Sequence, residues 1–130
     1  GETDDMLAVI EEAKRRCGDI PVVLAGFSFG GFVQTRVAKR LAEANHPIQR
    51  MVLVGTAAGF VEGTRSYDTE AVPNDTIVIH GSTDETVPLA NVLKWAEPLE
   101  LPVVVVPGAD HFFHRRLHVI REIITRSWRH

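Results

Sequence analysis

Val22-Val23-Leu24-Ala25-Gly26-Phe27-Ser28-Phe29-Gly30-Gly31 is the stretch that decides the fold. Its first four residues are apolar without alternation and rich in β-branched side chains. That pattern suits a strand covered on both faces, as in a parallel sheet. Beyond the glycines, apolar residues recur at Val33, Val37 and Leu41, with Ala38 and Ala44 beside them. This is one stripe of a helix. Between strand and helix lies Gly-x-Ser-x-Gly. A Ser on so sharp a turn takes a strained backbone conformation, and its hydroxyl is lifted clear of the sheet. The turn also aims the Phe29 N–H at the same point, where the start of the helix adds its positive dipole end. Gly26 and Gly30 are expected to remove side chains that would collide as strand and helix approach.

Working outward, three more apolar runs read as strands: Met51-Val52-Leu53-Val54, Thr76-Ile77-Val78-Ile79 and Val103-Val104-Val105-Val106. Pro21 and Pro102 precede two of the runs, where a missing N–H does little harm. A helical stripe runs from Leu89 through Val92, Leu93 and Ala96 and is expected to stop at Pro98. A last one joins Val119, Ile120, Ile123, Ile124 and Trp128. The first segment, Thr3 to Arg16, carries Met6, Leu7, Ile10 and Ala13, with Thr3 as the expected N-cap and Gly18 just past its end. The order is α-β-α-β-loop-β-α-β-α, an α/β layered fold with a mainly parallel sheet of about four strands. The stretch from Thr56 to Asp75 reads as an irregular excursion. With no repeat or linker, residues 1–130 read as a single domain.

In an open parallel sheet, ligands bind at the carboxyl ends of the strands. Ser28 follows the first strand, His80-Gly81-Ser82-Thr83-Asp84-Glu85 the third, and Pro107-Gly108-Ala109-Asp110-His111 the fourth. The glycine-rich turn alone could be a close-packed connection or a phosphate cradle. The phosphate version lacks the Lys of G-x-x-x-x-G-K-[ST] and fails G-x-G-x-x-G. The chain order Ser28, Asp84, His111 is that of the α/β-hydrolase triad.

Taken together, Gly26–Gly31, the run from His80 to Pro88 (His80-Gly81-Ser82-Thr83-Asp84-Glu85-Thr86-Val87-Pro88) and the run from Pro107 to Phe113 resemble the signature regions of a bacterial family of small α/β serine hydrolases without a large lid. The resemblance implies a three-layer α/β-hydrolase-like fold. It implies Ser28 as nucleophile, His111 as general base and Asp84 as the carboxylate that orients the imidazole. It makes the Phe29 N–H one oxyanion-hole donor. The reaction is then acyl transfer to water through an acyl-enzyme, on small carboxylic esters or thioesters, with no cofactor and no metal. Asp84 is preferred to the adjacent Glu85 because G-x-x-D-x-x-V-P aligns with Gly81, Asp84, Val87 and Pro88. The family also has strands before the nucleophile strand, with a second oxyanion donor in a segment like H-x-x-x-x-G-G. No such segment precedes Ser28 in this sequence, so the chain is expected to be the truncated C-terminal part of the usual fold, or a compact enzyme that completes its sheet by self-association. Either way the Val22–Ala25 strand is an edge open to pairing, and a homo-oligomer is expected there.

Other residues near these strand ends carry competing readings. Phe27, Phe29, Phe112 and Phe113 flank the site. Phe27 and Phe112 are candidate substrate-pocket residues, whereas Phe27 and Phe29 also read as partly core. His111, His114 and His118 have a spacing that could be taken for a metal site, without a matching carboxylate or Cys set. His80 reads as a buried, hydrogen-bonded residue near the turn that places Asp84. Asp110 reads as structural, and Arg115 and Arg116 as a solvated helix start.

Composition sets the outer bounds. In 130 residues, 45% are hydrophobic, 24% are charged and the formal net charge is −3. These values suit an ordinary globular domain and give no electrostatic reason to expect nucleic acid. No apolar run approaches the ~20 residues of a membrane span. The lone Cys17 rules out an intrachain disulfide and favours a reducing compartment, the cytoplasm. The alternatives to an esterase are a poorly active or non-catalytic module that binds partners, and a peptidase or other acyl hydrolase of the same fold.

Overall fold

The computed structural model describes residues 1–18, 20–63 and 65–128. Helices α1 (Glu2–Cys17), α2 (Phe29–Glu43), α3 (Leu89–Ala96) and α4 (Leu117–Ser127) accompany strands β1 (Val23–Phe27), β2 (Arg50–Val54), β5 (Ile77–Gly81) and β6 (Val104–Val106). Two short strands, β3 (Gly59–Phe60) and β4 (Ser66–Tyr67), lie between β2 and β5. Helix α1 opens with Glu2, Asp4 and Asp5 and closes with Lys14, Arg15 and Arg16, charges that complement its dipole. Its cap lies two residues before Thr3, because the Asp5 N–H reaches the Gly1 carbonyl at 3.0 Å and Gly1 takes the capping position.

The main sheet has order β1-β2-β5-β6, and each pair is parallel. Successive residues of a strand face opposite sides, so its two faces build two cores. On one face, Leu24, Met51, Leu53 and Val78 pack with Ile10, Phe32, Val37, Leu41, Val92 and Ala96 from α1, α2 and α3. On the other, Val52, Ile77, Ile79 and Val106 pack with Val119, Ile120, Ile123, Ile124 and Trp128 from the α4 region. The result is three layers. Covering on both faces is why β2 and β5 read as unbroken apolar runs.

Strand β1 departs from that expectation. Leu24 is buried, but Val23 and Phe27 stay 44% and 42% exposed. Helix α4 reaches only its near side, leaving an apolar groove of about 480 Å³ lined by Val23, Ala25, Gly26, Phe27, Val52, Val54, Ile124 and Trp128. The β1 peptide groups also divide. The Gln49 N–H donates to the Val22 carbonyl at 2.8 Å and the Ser28 N–H to the Val54 carbonyl at 3.0 Å. Even-numbered residues therefore bond β2, and odd-numbered ones point to the edge. At that edge the Gln34 side-chain amide donates to the Ala25 carbonyl at 3.2 Å, while its own buried Oε1 has no partner among the described residues.

The excursion from Thr56 to Asp75 is more ordered than its composition suggested. Gly59 pairs with Tyr67 and Phe60 with Ser66 in an antiparallel ladder. Helix α3 anchors it: Asn91 donates to the Ala58 and Phe60 carbonyls at 2.9 and 2.8 Å, and the Trp95 indole N–H to the Glu70 carbonyl at 3.2 Å. These are tertiary bonds, which turn residues alone do not announce. Pro98 follows the end of α3 inside a short 3₁₀ turn, Glu97–Leu99.

Candidate active site

Ser28 stands between the last residue of β1 and the first of α2, at φ 56° and ψ −121°. A positive φ is costly for a residue with a Cβ and persists only where its surroundings impose it. Here the imposing contact is the crossing of strand and helix. A Cβ on Gly26 would lie 2.6 Å from the Gly31 Cα and 2.7 Å from the Gly30 carbonyl oxygen, which no side chain can occupy. A Cβ on Gly31 would lie 2.6 Å from the Thr56 hydroxyl. Gly30 corrects the expectation: a Cβ there meets nothing within 4 Å. Its carbonyl faces the strand but its Cβ direction is open, so the pair that leaves no room for a side chain is Gly26 and Gly31.

Asp84 and His111 come from two loops stitched together above β5 and β6. Gly81 makes this possible, since a Cβ there would lie 2.3 Å from the Ala109 carbonyl oxygen. The Thr83 N–H and hydroxyl both donate to that carbonyl, at 3.1 and 2.9 Å. The Gly108 N–H donates to the Ser82 hydroxyl at 2.7 Å. Phe113, buried and at φ 55°, anchors the second loop in the α4-side core.

The loops bring the three sequence-predicted residues into line. His111 Nε2 lies 2.9 Å from Ser28 Oγ, and His111 Nδ1 lies 2.7 Å from Asp84 Oδ2. A carboxylate only accepts, so Nδ1 carries the proton and Nε2 is free to accept from the Ser28 hydroxyl. The other Asp84 oxygen, Oδ1, accepts the Thr86 and Val87 N–H groups at 2.9 and 2.7 Å. The neighbouring Glu85 is exposed. The imidazole is thus oriented by a carboxylate that is itself held by backbone donors.

Aromatic rings border the line on two sides. The Phe27 and Phe112 rings each lie 5.0 Å from the His111 ring, and 5.9 Å from one another. On the other side, Phe29 packs 6.0 Å from Phe32 and 6.1 Å from Tyr67, below the Arg65 guanidinium. Phe27 and Phe29 are exposed rather than part of the core, because the elbow lifts its residues out of the sheet. Beside His111 opens a cleft of about 360 Å³ lined by Thr83, Glu85, Thr86, Asp110, His111 and Phe112. The Phe29 N–H belongs to the first turn of α2, where backbone donors have no partner within the helix.

The remaining histidines separate. His114 is exposed and pairs with Asp110, whose carboxyl that bond holds below its ordinary range. His118 is exposed on α4, and no group of three or more His, Cys, Asp or Glu residues suited to a metal ion occurs among the described residues. His80 is fully buried beneath Asp84, where burial pushes its imidazole below the usual range. The sequence did not single out Gly31, Thr56 or the loop stitches at Ser82 and Thr83. A second glycine directly after Gly-x-Ser-x-Gly was the available signal for the first.

Comparison with known proteins agrees with this fold. The family profile described as "Thioesterase domain" matches residues 2–123. A lidless α/β serine hydrolase from Xanthomonas campestris is 32% identical, with a TM-score of 0.79 over 97% of this chain and 55% of that one. An α/β serine hydrolase homologue from Coxiella burnetii is 32% identical, with a TM-score of 0.77 over 98% of this chain and 59% of that one. Human protein ABHD12B is 25% identical over 98% of this chain and 48% of its own length. The chain therefore spans about half the length of the relatives it matches. With nearly all of its sequence inside the family profile and its sheet superposing on these hydrolases, the chain belongs to the thioesterase-domain family and has the α/β-hydrolase fold.

Proposed function

We propose that the chain carries the catalytic part of a serine hydrolase that cleaves small carboxylic esters or thioesters. The observation that carries the reading is the unbroken line from Ser28 Oγ through His111 to Asp84, at 2.9 and 2.7 Å. In the first half-reaction, Ser28 Oγ attacks the substrate carbonyl carbon while its proton passes to His111 Nε2. The carbonyl π electrons move onto oxygen, and the Phe29 N–H donates to that oxyanion. Collapse expels the alkoxide or thiolate, which takes the proton from His111, and the acyl group stays on Ser28. Water then repeats the sequence and releases the acid. Asp84 keeps its charge throughout and stabilises the imidazolium.

The family match favours thioesters within this class. The short, anchored β3–β4 excursion and the cleft beside His111 suit compact substrates, with Phe27 and Phe112 as walls. The open β1 edge supports self-association of this chain, and sedimentation showing monomer alone at micromolar concentration would count against it. The exposed, lone Cys17 suits a reducing compartment such as the cytoplasm. No helix of the described residues is long and apolar enough to cross a membrane.

The test is covalent labelling by a fluorophosphonate. Labelling that disappears in Ser28→Ala supports the reading, and a folded protein that never labels refutes it. A parallel panel of oxyesters, thioesters and peptides then ranks the substrate classes.

A further inference from the structure

His80 is completely buried, and the reaction sketched above does not use it. Its Nε2 lies 2.8 Å from the Val87 carbonyl oxygen. A carbonyl only accepts, so Nε2 carries the proton. Nδ1 is buried with no partner among the described residues, so it holds a lone pair and the ring is neutral. A proton there would bury both an unpaired donor and a charge. The titratable groups facing the ring are Asp84 and His111.

The same Nε2 lies 3.3 Å from Asp84 Oδ2, the oxygen that also faces His111. The Val87 peptide closes a small circuit: its N–H donates to Asp84 Oδ1 at 2.7 Å, and its carbonyl accepts from His80. We propose that His80 is a positioning residue for Asp84, sharing its Nε2–H between the Val87 carbonyl and Oδ2 so that the carboxylate presents a fixed, partly neutralised oxygen to His111. This role rests on the serine-hydrolase reading of Ser28, His111 and Asp84.

The consequence follows from counting donors. With His80 in place, Asp84 Oδ1 accepts two backbone N–H groups, and Oδ2 faces the His111 Nδ1 at 2.7 Å and the His80 Nε2 at 3.3 Å. Without the Nε2–H, Oδ2 keeps only His111, carries more charge and stabilises the imidazolium more. The base then becomes available only at higher pH.

The test measures the rate of fluorophosphonate labelling against pH in the unsubstituted protein, His80→Leu and His80→Gln. Gln offers a side-chain N–H at the reach of Nε2, whereas Leu offers none. The acid limb of His80→Leu is expected to move up by about half to one pH unit, a loss of about 3- to 10-fold on that limb. His80→Gln should stay within about 0.2 unit. A merely structural role would lower the melting temperature or the plateau without moving the limb. A limb unmoved in His80→Leu, or moved equally in both variants, overturns the proposal. Should His80→Leu fail to fold, nitrogen-15 NMR of the unsubstituted protein decides. A neutral Nε2–H ring supports the role, and an Nδ1–H or charged ring at neutral pH overturns it. If the unsubstituted protein does not label at Ser28, the hydrolase reading itself fails and takes His80's role with it. Labelling with an unmoved limb removes only the role of His80.

Discussion

Asp84→Asn is the most telling substitution, because every group around that side chain is a donor. Oδ1 accepts from the Thr86 and Val87 N–H groups, and Oδ2 faces the His111 and His80 nitrogens. An asparagine must set its NH₂ against one of these pairs. Against the backbone pair, two donors collide at under 3 Å, and two good hydrogen bonds become repulsive. The favoured orientation therefore turns the NH₂ towards His111. His111 can then accept only by moving its proton from Nδ1 to Nε2, and an Nε2 that carries a proton cannot take one from Ser28. The fold survives, since volume and shape are unchanged. Turnover is expected to fall on the order of 10³- to 10⁴-fold, the scale found when this carboxylate becomes an amide. The assay is initial-rate hydrolysis of a small thioester near neutral pH, with circular dichroism to establish folding. A folded Asp84→Asn protein within about tenfold of the parent would refute the reasoning, because tautomer control could not then underlie the rate.

Further expectations concern packing and pH. Gly31→Ala should lose activity and stability together, since its Cβ would press on Thr56 at 2.6 Å. Gly30→Ala should be tolerated, and in a helix it gains about 0.5–1 kcal/mol. Thermal melts of the two side by side check this, and equal damage would contradict the elbow geometry. Leu53→Ala, at a fully buried position in the centre of the sheet, should cost about 2–5 kcal/mol in urea unfolding. His80 makes stability pH-dependent. Its folded imidazole binds protons more weakly than the unfolded one, so the unfolded chain gains the advantage as pH falls through about 6.5. The melting temperature should drop from pH 7 to 5 more steeply in the unsubstituted protein than in His80→Gln; parallel slopes would show that His80 does not titrate in this way.

Much of this was legible in the chain because the physics involved is local or periodic. Unbroken apolar runs such as Met51–Val54 require apolar cover on both faces, and both core clusters supply it. A Ser between glycines at a strand-to-helix junction has few backbone conformations open to it. Other features were beyond a one-dimensional reading. Gly30 and Gly31 look alike in sequence, and only the crossing of β1 and α2 shows which of them faces Thr56. The β3–β4 ladder depends on Asn91 and Trp95, residues far along the chain that donate to its carbonyls. Phe27 and Phe29 looked suitable for the core, but the elbow raises them to the surface.

The sequence by itself determined the element order, the α/β class and the three side chains at the strand ends, because hydrophobic period and turn chemistry act over a few residues. It also marked His80 as a buried neighbour of the Asp84 turn. Only the tertiary structure decided that one carboxylate oxygen faces two histidines, that β1 leaves one face open, and which glycine the elbow needs. Those facts depend on the distances between segments far apart in the chain, and such distances are set by packing three layers together at once.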